Sequence, residues 1–352
     1  MKKLLLLLYV VVCCISCEKK IGFQKRDVSR IWVKDIIKDS TLSIRAIELI
    51  DKDVYYAAND GNFGISLNEG SRVIDKYSKN NKLISFRSSA YNGKDLFILS
   101  IESPALVYKI EKEEKVNVYI KGKLVYQENH PKAFYDSMEF WNDKEGIAIG
   151  DSTDGCLSVI ITRDGGNTWT KMSCDELPKG AKDEGAFAAS DTNIAIFGDK
   201  TWVATTTGRV YYSPDKGQNW EVFDTPIINE KETEGIYSID FYDELNGFAI
   251  GGDYTKPEDN SANKIKTTDG GKTWKLVAEN KNPGYRSCVQ YMPNREGKEL
   301  VAIGFKGIDY SNDAGETWKH LSNEGFYTIR FLNDSVAYAA GAGRISKLTF
   351  RE

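Results

Sequence analysis

The chain has 352 residues, with 47 Lys and Arg against 51 Asp and Glu, a formal net charge of −4 and an aromatic content of 12%. No dense Lys/Arg run supplies the positive patch that a nucleic-acid partner needs, so none is expected. The two histidines, His130 and His320, lie far apart, and no glycine-rich loop follows a strand and opens a helix; no zinc set, no Ser-His-Asp triad, no metal and no cofactor are expected.

In chain order, Met1-Lys2-Lys3 is basic, Leu4 to Val12 is an apolar core too short to span a membrane, and Ile15-Ser16-Cys17 is a small-residue exit. Residues 1–16 therefore read as a signal peptide, whose removal with Lys2 and Lys3 takes the formal charge from −4 to −6. The segment resembles a bacterial lipoprotein signal, although Cys14 stands where Leu is commonest. The resemblance implies lipidation of Cys17, residues 17–30 as a tether and, from Glu18 rather than Asp after the cysteine, an outer-membrane lipoprotein of the cell envelope.

Residues 31–352 read as one repeat domain. Four copies of Ser/Thr-x-Asp-x-Gly-x-Thr/Asn-Trp run through its second half, at Thr162 to Trp169, Ser213 to Trp220, Thr267 to Trp274 and Ser311 to Trp318. Their aspartates, Asp164, Asp215, Asp269 and Asp313, are 51, 54 and 44 residues apart, a period that belongs to propellers, solenoids or arrays. A second motif keeps the same period: an apolar strand, a polar turn and a small-residue apolar strand, clearest at Phe140 to Asp151 and Phe241 to Asp253. With weaker copies, including a decayed box at Ser66-x-Asn68-x-Gly70, the count is seven four-stranded units. The expected fold is an all-β, seven-bladed propeller whose last blade takes its outermost strand from Ile31 to Ile36, because a closed ring leaves no exposed sheet edge.

The boxes read as structural. A tight turn between antiparallel strands needs an acceptor for free N–H groups, a glycine for positive φ and a hydroxyl to lock it. Trp169, Trp220, Trp274 and Trp318 are then expected to pack between neighbouring sheets. Cys156 and Cys174 flank the first box and fall nearly opposite one another on its hairpin, as neighbours that can form a disulfide.

These boxes are the Asp-box (BNR) repeats seen in sialidase-like propellers. The fuller pattern, Phe241 to Gly251 followed by Thr267 to Trp274, resembles the photosystem II stability and assembly factor family and its bacterial relatives. That resemblance implies a chaperone-like role toward a membrane protein under assembly.

Aligning the units on the second motif places Arg45, Arg87, Asp136, Phe187, Tyr237, Arg286 and Tyr327 at the start of the innermost strands, on one rim of the channel. A one-residue slip in unit six would substitute Ser287 for Arg286. Glu-Gly pairs at Glu184, Glu234 and Glu324 lie just upstream. Arg45, Arg87, Arg286, Tyr237, Tyr327, Asp136 and Glu184 are the candidate ligand residues, with arginines holding a carboxylate or phosphate through bidentate bonds. The sialidase resemblance implies instead a tyrosine nucleophile helped by a glutamate, here Tyr327 with Glu324 or Tyr237 with Glu234, and Asp136 as acid/base. The Arg-Ile-Pro segment of sialidases has no match, since Arg30-Ile31-Trp32 and Arg45-Ala46-Ile47 depart from it.

The resulting reading is a monomeric, non-catalytic binding or assembly scaffold that docks a protein segment or glycan at the propeller mouth and reaches the membrane through its N-terminal lipid. The alternatives are a sialidase-type glycoside hydrolase and a surface glycan-binding lipoprotein.

Overall fold

A computed structural model describes residues 23–67, 70–113 and 117–352. The signal segment, Cys17 with the tether as far as residue 22, and Asn68 of the decayed box lie outside the described residues. Among the described residues no helix is long and apolar enough to cross a membrane.

The chain folds as an all-β propeller. Five sheets have four antiparallel strands each: sheet two over residues 86–128, sheet three over 135–171, sheet four over 194–224, sheet five over 236–276 and sheet six over 288–322. Sheet one has six strands, in the order Thr328–Phe331, Val336–Arg351, Arg30–Ile50, Asp53–Ala58, Asn62–Leu67 and Gly70–Lys76. The expected count of seven is thus corrected to six blades. The cause is the 21-residue strand Arg30–Ile50, which pairs with the C-terminal strand from Arg30↔Arg351 to Lys38↔Arg344 and then with Asp53–Ala58 from Ile44↔Ala58 to Ile50↔Asp53. Its continuity joins what the repeat alignment separates into the first and last units.

The inner strands touch one another in cyclic order, sheet one contributing both Thr328–Phe331 and the second half of Arg30–Ile50, so they line a central channel. The second strands, such as Gly146–Gly150, Gly247–Gly251 and Leu300–Gly304, are buried along their whole length. That explains their uninterrupted apolar runs: both faces meet a neighbouring sheet, so there is no polar side to alternate with. Aromatic residues fill the wedges between sheets. Trp202, Phe241, Ile265 and Trp274 share the core between sheets four and five, while Phe97, Tyr135, Ile160 and Trp169 share that between two and three.

Each of the four Ser/Thr-x-Asp turns carries the same bonds. Thr162 Oγ1 donates to Asp164 Oδ1 at 3.0 Å and accepts from the Gly166 amide at 2.9 Å; Thr168 donates its amide to Oδ1 and its hydroxyl to Oδ2. Asp215, Asp269 and Asp313 repeat this, with the Asn219 amide standing in for the hydroxyl. The indole N–H groups of Trp220, Trp274 and Trp318 donate to the glycine carbonyl of their own turn. Trp169 and Trp274 are buried, whereas Trp220 and Trp318 are half-buried.

Cys156 and Cys174 form a disulfide with a Cα–Cα distance of 5.5 Å and a sequence separation of 18. A cross-link over a loop of that length restricts the unfolded chain. Replacing both cysteines by alanine is expected to cost about 2–4 kcal/mol in denaturant unfolding, with mature folded protein still obtained. Identical midpoints for the oxidised parent and the double variant would show that the clip contributes nothing.

Candidate ligand-binding site

Sheet four departs from the repeat in a way that shapes the site. Its innermost strand is Ile194–Phe197, paired with Lys200–Ala204, whereas the motif alignment makes Ile194 to Gly198 the second strand of its unit. The preceding residues, 186–193, leave the sheet plane and enter the channel. Thr328 Oγ1 donates to the Ser190 carbonyl at 2.8 Å, and Ser190 Oγ donates to the Ser287 carbonyl at 2.6 Å. The Ser89 amide and Ser137 hydroxyl donate to the Asp191 carboxylate, while Arg330 donates to its carbonyl. Thr192 Oγ1 donates to Ser238 Oγ. One short segment is therefore bonded to the inner strands of all the other sheets and plugs the channel.

Burial pushes the Asp191 carboxyl up to about 7, against the opposing pull of Arg330 and the Ser89 amide. A folded-state pKa raised above the unfolded value contributes stability that is complete below the unfolded pKa of about 3.9 and is lost as pH rises through the folded one. The protein is expected to lose stability between about pH 4 and pH 7, and Asp191→Asn to flatten that fall. Parallel stability–pH profiles for the two proteins would remove Asp191 as its source.

Above the plug opens a cavity of about 570 Å³, within the range of small-ligand sites. Arg45, Arg87, Phe187, Tyr237 and Tyr327 of the aligned ring all line it. Arg45 lies over the Tyr327 ring, 3.9 Å from its centroid, and donates Nη1 to the Ala189 carbonyl at 2.9 Å; its buried Nε has no partner. Arg87 donates Nη1 to the Ala188 carbonyl at 3.1 Å. Neither guanidinium has a carboxylate within 4.0 Å among the described residues. Burial and the nearby Arg45 push Arg87 down to about 10, and burial lowers Arg45 as well. Two desolvated like charges with no carboxylate in direct contact are an arrangement that a bound anion relieves.

The opposite wall is aromatic. Phe187 stacks on Tyr237 at 3.6 Å, Tyr285 meets Tyr237 edge-on, and Tyr254 and Phe305 stand exposed at the rim. Tyr254, Tyr285 and Phe305 escape the repeat alignment because two come from loops between strands and the third lies one residue from the aligned position.

Several predicted site residues lie elsewhere. Arg286 is turned into sheet six, where it pairs with Asp309 at 2.7 Å; Tyr285 and Ser287 face the mouth, since successive residues point to opposite sides of a strand. Asp136 is fully buried below the mouth, and burial, with repulsion from Asp151, holds its carboxyl well above the usual range. Glu184 is an internal anchor rather than a rim carboxylate, held by Arg209, Thr205, Thr207 and Tyr211. Glu234 accepts from Lys231 and the Glu230 amide, and Glu324 pairs with Arg344 at 2.6 Å. Tyr237 donates its hydroxyl to the Thr233 carbonyl, and burial raises its pKa far above the ordinary tyrosine value. Tyr237 is bonded to a carbonyl and both glutamates are engaged by cations, and among the described residues no hydrogen bond joins Tyr237 to Glu234 or Tyr327 to Glu324. No group of three or more His, Cys, Asp or Glu among the described residues could hold a metal ion.

No family model matches the chain, and no curated protein matches it. Several solved structures do match. One described as YCF48 bound to D1 peptide superposes with a TM-score of 0.65 at 11% identity, covering 94% of this chain and 98% of that one. The WD40 repeats of RRP9 superpose at 0.63 and 13%, covering 93% and 100%, and U3-55K at 0.61 and 14%, covering 91% and 98%. At these identities the likeness is one of fold, and the chain is a β-propeller.

Proposed function

We propose that this chain is an exported scaffold, anchored through a lipid on Cys17, that docks an extended segment of a partner protein at the channel mouth without catalysing a reaction. The observation that carries the reading is the pair Arg45 and Arg87, open to a cavity and lacking a carboxylate partner. A carboxylate of the partner would take the free guanidinium nitrogens, and an apolar side chain beside it would lie against Phe187, Tyr237 and Tyr285. A structure of the same fold carries a peptide, which supports a protein partner over a glycan. The box motifs support kinship with Asp-box propellers, and in this reading they hold the blades together while the mouth binds. Acting as a monomer in the cell envelope, it needs no cofactor.

The test pairs two measurements on the purified protein and its Arg45→Ala/Arg87→Ala variant. Fluorogenic glycosides, sialosides included, are expected to remain unhydrolysed, and capture of a protein from envelope extract is expected to depend on the two arginines. Turnover lost in the variant would make the mouth an active site and overturn the proposal.

A further inference from the structure

A second cavity, of about 420 Å³, opens on sheet six beside the mouth. Its floor is a relay of planar polar groups. Arg286 Nε and Nη2 reach Asp309 Oδ2, each at 2.7 Å; Asp309 Oδ1 meets His320 Nδ1 at 3.0 Å, and His320 Nε2 meets Asn323 Oδ1 at 2.9 Å. Arg286 and Asp309 are buried, so the inner half of the relay is fixed before any ligand arrives. Gly307 makes room for the outer half: its φ is +135°, and a Cβ there would sit 2.6 Å from the His320 ring. Phe305, 41% exposed, stands at the edge with its ring 5.6 Å from that of Tyr285 and also borders the mouth cavity.

Charge separates this cavity from the mouth. Asp309 neutralises Arg286, and Lys306 lies 3.8 Å from Glu258, whereas the mouth holds two arginines without a carboxylate partner. The sheet-six cavity therefore favours a neutral ligand. Hydroxyl groups donate and accept at once, which suits rigid carboxylate, imidazole, amide and guanidinium groups set side by side. A ring bearing such hydroxyls on its edge and C–H bonds on its face also matches the adjoining aromatic surface.

We infer that the sheet-six cavity binds a neutral saccharide ring, with its hydroxyls on His320 and Asn323, which Asp309 holds from behind, and its C–H face against Phe305. This site lies apart from Arg45 and Arg87 and does not depend on the reading of the mouth. The preformed relay lowers the ordering cost of binding.

The purified full chain would be tested by saturation-transfer NMR against the methyl glycosides of glucose, galactose and mannose and against N-acetylglucosamine. At least one sugar is expected to bind with a dissociation constant of about 1–10 mM, weakened about tenfold or more by Asn323→Ala and by His320→Gln and unchanged by Arg45→Ala/Arg87→Ala. Phe305→Ala, at an exposed position, gives a second variant whose fold does not rest on the relay, and it should weaken the same sugar. Failure of all four sugars to bind, retention of binding in the Asn323 and Phe305 variants, or loss of binding in the arginine variant would each overturn the assignment. So would inorganic phosphate displacing the sugar, because that would make the cavity an anion site.

Discussion

Trp202→Ala is expected to lower stability by about 3–5 kcal/mol, a large fraction of what holds a domain folded. Trp202 is wholly buried and stacks on Phe241 across the wedge between sheets four and five at 3.6 Å. Its indole N–H donates to the Gly270 carbonyl at 2.8 Å, and a Cβ on Gly271 would come within 2.9 Å of its ring. Truncation therefore removes a tightly packed ring, leaves a cavity that its neighbours cannot fill and strands a buried carbonyl. Trp220, half-buried in its own turn, should cost much less, which provides an internal comparison. Urea unfolding of the two variants checks both statements; a Trp202→Ala loss below about 1 kcal/mol would mean that the wedge is not close-packed.

The second large effect falls on binding. Each arginine at the mouth is expected to contribute a charge-assisted bond to the docked segment, and such bonds are worth about 1.5–3 kcal/mol each. Arg45→Ala/Arg87→Ala should therefore weaken docking by about a hundredfold or more. The fold should survive, because each arginine gives only one hydrogen bond to the plug and the remaining plug contacts come from Ser89, Ser137, Ser238, Ser287, Thr328 and Arg330. Raising the salt concentration should weaken docking to the parent protein and leave the variant almost unaffected, since screening acts on the charges removed.

Much of the architecture is legible in the sequence because a propeller repeats one local solution. The same turn needs the same acceptor, hydroxyl and glycine each time, so the boxes reveal the period, and the period aligns Arg45, Arg87, Tyr237 and Tyr327 onto one rim. Phe187 reaches that cavity too, though from the plug rather than from a strand. The plug itself leaves little trace: Ala188-Ala189-Ser190-Asp191-Thr192-Asn193 has neither strand alternation nor helical spacing, and its partners lie on the other sheets. Blade number is hidden for a related reason, since a strand continuous across two units is a tertiary fact that a periodic alignment divides. Arg286 shows the sharpest limit. A one-residue shift reverses every side chain on a strand, and nothing local distinguishes Arg286 facing the mouth from Ser287 facing it.

Whether the mouth holds a protein segment by its acid groups is tested most directly by photocross-linking in intact envelopes, from Tyr254 replaced by p-benzoylphenylalanine at the exposed rim. The predicted result is a protein adduct whose cross-linked peptides map to one acid-bearing segment of one partner, and which falls at least about tenfold in the Arg45→Ala/Arg87→Ala background. A glycan adduct, or a protein adduct of equal yield without the two arginines, would contradict it.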